Sequence, residues 1–334
     1  MFKALVIDRP DEDADLVVEI RQLEVDDLPE GDVLVDVAYS SINYKDALAV
    51  TGTGKIARSF PMVPGIDLAG TVSGSTSSQF KPGDKVLLTG WGVGERHWGG
   101  LAQKARLKSE WLLPIPAGLD AEKAMILGTA GLTAMLCVMR LQEAGVKPSD
   151  GKVLVTGAAG GVGSIAVLLL AQLGYHVVAV TGRSRTHSYL EDLGAKEFVS
   201  RSDMSDAARP LESQKWAGAI DVAGGDILAR VLAEMDYDGV VVACGLAASF
   251  KLPTTVMPFI LRGVSLLGVD SVLCPMERRR VAWERLAKEM PESAYAKIGQ
   301  VVPLEEVKQV AQEVIEGKIQ GRVLVNPNQA ATVE

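Results

Sequence analysis

Val153-Leu154-Val155-Thr156-Gly157-Ala158-Ala159-Gly160-Gly161-Val162-Gly163-Ser164 decides the fold of the second half of this chain. A short β-branched run enters a glycine-rich turn, and an apolar run of helical length, Ile165 to Leu173, follows. Strand, tight turn and helix in that order make a pyrophosphate site. Backbone must come close to phosphate oxygens, so side chains are unwelcome at the turn. The helix start offers free N–H groups and the positive end of its dipole. The spacing Gly157, Gly160, Gly163 is a variant of the dinucleotide fingerprint, and Ala159, Gly161 and Val162 complete the expected cradle.

The next strand, His176 to Val180, ends in Thr181-Gly182-Arg183-Ser184-Arg185. Arg183 lies 20 residues past Gly163, where an NAD site carries an acid for the ribose 2′-hydroxyl. No acid occurs there before Glu191. A carboxylate repels a 2′-phosphate, whereas a guanidinium binds it in bidentate fashion. Thr181, Gly182 and Arg183 are therefore expected at an NADP(H) site, with hydroxyls of Thr181 and Ser184 adding hydrogen bonds.

Working outward, strands at Glu197–Ser200, Ala219–Val222 (with Gly218 marking its start), Val240–Cys244 and Ser265–Val269 alternate with helices at Ser188–Leu193 and Ile227–Met235. Six strands with helical crossovers predict an α/β Rossmann domain, a doubly wound parallel sheet. Ligands lie at the carboxyl ends of such strands, so Ala243, Cys244, Gly245, Val269 and Asp270 are expected at the cofactor. Cys244 reads as a packing residue, since no histidine is placed beside it as a base.

Before residue 128 the texture differs. Short strand-like runs (Ala4–Ile7, Leu16–Ile20, Val33–Tyr39, Leu68–Ser73, Lys85–Leu88) are separated by Gly/Pro turns, which suggests a barrel-like β domain. A helix is expected around Ala124–Met139, others near Met276–Met290 and Leu304–Glu316, and a last strand at Gly321–Val325 that returns to the β domain. The expected boundaries are 1–127 with 298–334, and 128–297 between them. The tail after Asn326 is expected to fray.

Bulk properties narrow the class. The 334 residues suffice for two domains, and 48% hydrophobic content suits a globular core. A net charge of −8 argues against a general nucleic-acid binder. The start, Met1 to Val6, lacks the apolar region of a signal peptide, and no apolar run reads as long enough to span a membrane. Three cysteines, Cys137, Cys244 and Cys274, form no disulfide framework, and a cytoplasmic setting is expected.

Five motifs carry a resemblance: Ser41-Ile42-Asn43-Tyr44-Lys45-Asp46, Pro64-Gly65-Ile66-Asp67-Leu68-Ala69-Gly70, Lys81-Pro82-Gly83-Asp84-Lys85-Val86, Gly128-Thr129-Ala130-Gly131-Leu132-Thr133-Ala134, and the Gly157–Ser164 turn. In this order they resemble the zinc-independent medium-chain dehydrogenase/reductases of the quinone oxidoreductase branch, over nearly the whole chain. Asn43 to Leu48, Thr181-Gly182-Arg183 and Gln320-Gly321-Arg322 are most similar to the NADPH-dependent acrylyl-CoA reductase group. The resemblance implies a GroES-like β-barrel domain completed by the C-terminal segment, a Rossmann domain between, an active site in the cleft, and a homodimer. Zinc-dependent relatives carry Cys in the counterpart of the first of these motifs and His in that of the second. Here Asn43–Asp46 has no Cys and Gly65-Ile66-Asp67 has no His, so no catalytic metal is expected. His97, His176 and His187 lie in different elements; His176 is read as starting a strand and His187 as a surface residue.

The implied reaction is NADPH-dependent reduction of acrylyl-CoA to propionyl-CoA, with hydride adding to the β-carbon and a proton to the α-carbon. Tyr44 is expected to contact the nicotinamide or substrate and to donate that proton, water being the alternative. Asn43 is expected to orient the ribose or polarise a carbonyl. Asp46 reads as a helix N-terminal or Lys45-paired residue. Thr133 and Arg322 join the expected cofactor contacts, and Arg322, Lys55, Arg58 and Arg96 are candidates for phosphates of CoA. Trp91 and Trp98 either cover the site or anchor their Gly-rich loop. Glu277-Arg278-Arg279-Arg280 reads as an exposed helix start, with anion binding as the alternative. An NADPH:quinone oxidoreductase and a non-catalytic NADPH-binding regulatory protein are the competing functions.

Overall fold

The computed structural model describes residues 1–11 and 14–330. These form two compact units, Met1–Thr129 together with the chain from Val272, and Ala130–Ser271.

The first unit opens with β1 (Phe2–Asp8), antiparallel to β2 (Val17–Leu23). β3 (Val33–Ile42) alternates Val33, Val35 and Val37 inward with Leu34 and Asp36 turned outward, the period of a half-buried strand. It leads directly into α1 (Tyr44–Thr51), which starts at a capping box between Asn43 and Asp46 and stops at left-handed Gly52. β4 (Asp67–Ser75) and β5 (Lys85–Thr89) continue the sheet, and β6 (Lys104–Leu107) and β7 (Leu113–Pro114) add short edges.

α2 (Ala121–Glu143) contains the expected helix but breaks at Gly128, whose φ of 51° is left-handed. A Cβ there would overlap the Asp67 carboxylate and come within 2.9 Å of Arg322 Nη2 and Ser41 Oγ. α2 also corrects an expectation. By length and composition it is apolar enough to cross a membrane, but 89% of its most apolar window is buried inside the protein. It is a core helix.

The second unit follows the sequence reading closely. β8 (Lys152–Val155), α3 (Gly161–Gln172), β9 (His176–Thr181), α4 (His187–Asp192), β10 (Glu197–Ser200), α5 (Arg201–Ser205), β11 (Trp216–Asp221), α6 (Gly225–Ala233), β12 (Met235–Ala243), α7 (Met257–Arg262) and β13 (Ser265–Gly268) alternate along the chain. The sheet order is β10-β9-β8-β11-β12-β13, every pair parallel. That is the doubly wound order, with its switch point between β8 and β11. β11 starts at Trp216, ahead of Gly218. Gly218 leaves room for Val146 instead, since a Cβ there would stand 3.2 Å from Val146 Cγ1.

The chain rejoins the first unit at Val272, earlier than the expected residue 298. The cause is α8 (Met276–Glu289), whose buried face is Arg279, Ala282, Trp283 and Leu286. Arg279 donates to Thr89 O and Thr89 Oγ1 of β5 at 2.7 and 2.8 Å, which ties α8 to the barrel. α9 (Glu292–Ile298), β14 (Gly299–Pro303), α10 (Val307–Ile315) and β15 (Arg322–Asn326) follow. β15 pairs antiparallel with β3, Val323 opposite Ile42, and completes the sheet order β14-β15-β3-β4-β5-β7, with β6 on β3. The expected fraying after Asn326 does not begin at once. Pro327 O accepts from Gln103 Nε2, and Asn328 Nδ2 donates to Val37 O. Residues 331–334 lie outside the described residues.

Candidate active site

In the second unit, β8 delivers Thr156 to the head of the glycine-rich turn. Thr156 Oγ1 donates to Asp221 Oδ1 at 2.7 Å and accepts from Val222 N, while Asp221 Oδ2 accepts from Gly224 N at 2.7 Å. Asp221 is fully buried, and burial raises its carboxyl above the ordinary carboxylate value. These bonds tie the turn to the end of β11. Neither Thr156 nor Asp221 stood out in the sequence, although a hydroxyl before the first glycine and an acid ending a parallel strand were legible as residues.

Gly157 has a left-handed φ of 57°, and a Cβ at Gly163 would overlap Gly157 O and stand 2.7 Å from Ala158 Cα. Gly163 therefore lets α3 close onto the turn. A Cβ at Gly160 would meet only Gly157 O, at 3.3 Å, so space is open above that residue. Gly160, Gly161 and Val162 are part-exposed at the N-terminus of α3, whose first N–H groups have no carbonyl within the helix. Backbone donors beside open space fit a pyrophosphate. Ala159 is buried and contributes backbone alone.

At the end of β9, Arg183 is half-buried. Burial, then the charges of Arg185 and Arg201, push its guanidinium below the ordinary value. Arg201, at the start of α5, lies across Gly182, where a Cβ would come 3.0 Å from Arg201 Nε. Three guanidinium groups thus gather around one turn, and Arg201 is a member that spacing from Gly163 could not reveal. The Thr181 hydroxyl is not directed to a ligand. It is buried, accepts from Arg183 N at 3.2 Å, and pairs with Thr186 Oγ1 at 3.0 Å. His187 is not a plain surface residue either: it stacks on Phe198 with ring centroids 4.1 Å apart. His176 starts β9 and pairs with Glu197.

Ala243, Cys244 and Gly245 end β12 and are part-exposed. Cys244 N donates to Asp221 O, and Val269 N donates to Ala243 O, which aligns the ends of β12 and β13. The Cys244 thiol donates to Asp221 O at 3.5 Å, and the neighbouring Cys244 thiol, then burial and the Asp221 charge, push the Cys137 thiol well above its ordinary value. Both cysteines are packing groups. Thr133 Oγ1, nearly buried, donates to Ser271 Oγ at 2.9 Å, and Asp270 is exposed beside it.

In the first unit the motif from Ser41 to Asp46 surrounds a buried carboxylate, Asp67. Asp67 Oδ2 accepts from Ser41 Oγ (2.7 Å), Asn43 Nδ2 (2.8 Å) and Thr129 N (2.8 Å), and Oδ1 accepts from Thr129 Oγ1. Arg322 Nη2 stands 3.6 Å from Asp67 Oδ2 and donates to Ser41 Oγ; Nη1 donates to Asn43 Oδ1 and Ile42 O; Nε donates to Ile126 O. Arg322 is only 3% exposed. This overturns its expected contact with cofactor or CoA phosphate, because all three guanidinium nitrogens serve internal acceptors. Burial drives its guanidinium below the ordinary value, and the charges of Asp67 and Asp46 oppose that.

Asn43 is corrected in the same way. Its amide donates to Asp67 Oδ2 and Asp46 Oδ2 and accepts from Arg322, so each polar atom of its side chain is engaged by an internal partner rather than held ready for a ribose or carbonyl. Asp46 takes the helix N-terminal role. It accepts from Gly65 N, Ile66 N and Asn43 N, and burial pushes its carboxyl up to about 6. Lys45 pairs with Glu95 at 2.6 Å rather than with Asp46. Tyr44, at the first turn of α1, is 44% exposed, and its hydroxyl makes no hydrogen bond among the described residues. Lys55, Arg58 and Arg96 are exposed.

The two tryptophans are anchors. Trp98 Nε1 donates to Pro61 O at 3.0 Å, and Trp91 lies under the Arg279 guanidinium, 4.9 Å from ring centroid to charge. Arg279 itself is buried, which corrects the reading of residues 277–280 as a wholly exposed helix start.

Residues 29–117 match the family model of the alcohol dehydrogenase GroES-like domain, and residues 161–288 match that of the zinc-binding dehydrogenases. Over 98% of its length the chain is 58% identical to the whole of a probable acrylyl-CoA reductase, AcuI, of Escherichia coli. It is 50% identical, again over 98%, to the whole of the acrylyl-CoA reductase AcuI of Ruegeria pomeroyi. The crystal structure of Escherichia coli YhdH with bound NADPH, 58% identical, superposes with a TM-score of 0.95 over 97% of this chain and 100% of that one. By this likeness, and by the absence of Cys and His from the two motifs that carry zinc ligands in metal-dependent relatives, the chain belongs to the zinc-independent medium-chain dehydrogenase/reductases, in the acrylyl-CoA reductase group.

Proposed function

We propose that the protein is an oxidoreductase that reduces the conjugated C=C of acrylyl-CoA to propionyl-CoA with NADPH. The observation that carries this reading is Tyr44. It is an exposed side chain whose hydroxyl has no hydrogen-bond partner among the described residues, at the head of a helix whose start is fixed by buried bonds, in a chain alike over 98% of its length to proteins named acrylyl-CoA reductases. Residues of the second unit fit the cofactor: the open backbone at Gly160 to Val162 suits its pyrophosphate, and Arg183, Arg185 and Arg201 suit a 2′-phosphate. When bound, the cofactor supplies a hydride to the β-carbon of the thioester, whose carbonyl makes that carbon electrophilic.

Every other role belongs to the chain. Negative charge builds on the thioester oxygen and the α-carbon as the β-carbon is reduced. The Tyr44 hydroxyl donates a hydrogen bond to that developing charge and passes its proton to the α-carbon. The tyrosinate regains a proton from solvent, to which the side chain is open. Lys55, Arg58 and Arg96 are the exposed cations of the same unit that suit the phosphates of CoA. Thr133, Ala243, Cys244, Gly245, Val269 and Asp270 shape the nicotinamide end of the cofactor site by backbone and small side chains.

We further read the protein as a cytoplasmic homodimer that engages neither nucleic acid nor membrane. Three free cysteines suit a reducing compartment. The edge strand β13 and the neighbouring exposed Phe250, Val256, Ile260 and Leu261 suit a second copy.

The test follows reduced-cofactor absorbance with acrylyl-CoA, with NADPH and NADH in parallel. Rapid turnover with NADPH, strongly reduced in Tyr44→Phe, is expected. Turnover with quinones alone would replace the substrate, and binding of NADPH without any turnover would replace the enzyme reading with a regulatory one.

A further inference from the structure

The Ser41–Asp46 motif sits on two buried carboxylates and one buried guanidinium, and neither Asp67 nor Arg322 has an atom free to meet a ligand. Asp67 is fully buried, and its acceptors are filled by Ser41, Asn43 and Thr129. Such a cluster is costly to desolvate, and replacing it with apolar residues is often neutral or stabilising. Stability alone therefore does not account for it.

The bonds point to a further role. Asn43 is the residue before Tyr44 and the N-cap of α1. Each polar atom of its side chain is held by a charge: Nδ2 by Asp67 and Asp46, Oδ1 by Arg322. A carboxylate on the nitrogen side and a guanidinium on the oxygen side permit one amide orientation only, because a flipped amide would face each charge with the wrong group. Arg322 also holds the carbonyl of Ile42, and Asp46 holds Asn43 N. Both of these groups belong to the peptide unit between Ile42 and Asn43, and the next unit is held by Ala47 N, which donates to Asn43 O at 3.0 Å; the position from which Tyr44 leaves the chain is fixed with them.

We infer that Asp67 and Arg322 are positioning residues for the reaction, acting on Tyr44 through the amide of Asn43. The inference rests on the proposed role of Tyr44. A catalytic hydroxyl displaced by about 1 Å loses on the order of 100-fold in rate, and the Tyr44 hydroxyl has no hydrogen bond among the described residues to keep it in place.

The test is a double-mutant cycle in the full-length enzyme with acrylyl-CoA and NADPH. Asp67→Asn is expected to lower kcat by about 10- to 100-fold, with the NADPH dissociation constant, read by cofactor fluorescence, changed less than about 3-fold. In a Tyr44→Phe background the same change is expected to cost less than about 3-fold in kcat. Additive losses, or an unchanged kcat in Asp67→Asn, overturn the inference while leaving Tyr44 in its role. A Tyr44→Phe enzyme with unaltered kcat removes Tyr44 and this inference together. If Asp67→Asn does not fold, Asn43→Ala serves, since it leaves Asp67 bonded to Ser41 and Thr129. It is expected to reproduce both the kcat loss and its disappearance in the Tyr44→Phe background, and full activity in Asn43→Ala overturns the inference.

Discussion

Alanine at position 160 and alanine at position 163 differ by one methyl group in the same turn, and they should fail in different ways. At 163 the new Cβ overlaps Gly157 O and lies 2.7 Å from Ala158 Cα and 2.8 Å from Gly157 C. All three are backbone atoms of a turn tied to β11 through Thr156, so α3 has to lift. Overpacking of that kind costs about 1–3 kcal/mol, which lowers the melting temperature by several degrees in a protein of this size. At 160 the Cβ meets only Gly157 O, at 3.3 Å, and the loss of stability should stay within about 1 kcal/mol. The methyl group instead occupies the open space where phosphate oxygens would approach Gly161 and Val162. A charge-assisted hydrogen bond is worth about 1.5–3 kcal/mol, so loss of one weakens NADPH by roughly 10- to 150-fold. Thermal denaturation and a fluorescence titration with NADPH separate the two effects. Gly160→Ala binding NADPH as the parent does would refute the pyrophosphate assignment, and an unshifted melt for Gly163→Ala would refute the packing argument.

Arg201→Ala, like Arg183→Ala, should weaken NADPH by roughly 10-fold or more and leave NADH within about 2-fold, read by titration with both cofactors; equal losses would remove the 2′-phosphate role. Asp46 is held at about 6 against an ordinary 3.8. Its folded form keeps the proton longer, so its contribution to stability is full below pH 3.8 and is lost as pH rises through 6, by roughly 3 kcal/mol. Urea unfolding from pH 4 to 7 should show that decline in the parent and not in Asp46→Asn, and parallel curves would contradict it. Arg279→Met leaves the buried acceptors at Thr89 and Val272 without this donor and should lower stability by about 1–3 kcal/mol; an unchanged melt would show that α8 does not depend on them.

The Rossmann unit was legible because parallel strands buried on both faces are written as short continuous apolar runs, and Val153–Thr156 and Val177–Val180 have that form. The glycine turn and Arg183 were legible because their constraint is local. What escaped was long-range. Arg322 read as a phosphate contact and Asp67 only as a motif position, since nothing near them in sequence announces that they meet at 3.6 Å. Arg279 stands in a charged run, and only the helical phase it shares with Ala282, Trp283 and Leu286 marks it as internal. The return at Val272 was missed because a helical pattern shows that a face is buried and not against which unit. Gly128, expected within a helix, breaks it because of what stands opposite, the Asp67 carboxylate.

The joining of β15 to β3 sets an order on synthesis. Arg322 contributes to the setting of Asn43 from 279 positions further along the chain. The stretch Ala130–Ser271 is continuous and has its whole sheet available as soon as it leaves the ribosome. The barrel strands made first must wait, their β3 edge unpaired, until that entire domain has emerged and the last strand arrives. At a synthesis rate of about 5–20 residues per second, the wait is on the order of ten seconds to a minute. The nascent chain therefore carries a folded cofactor-binding domain before it carries a finished catalytic one.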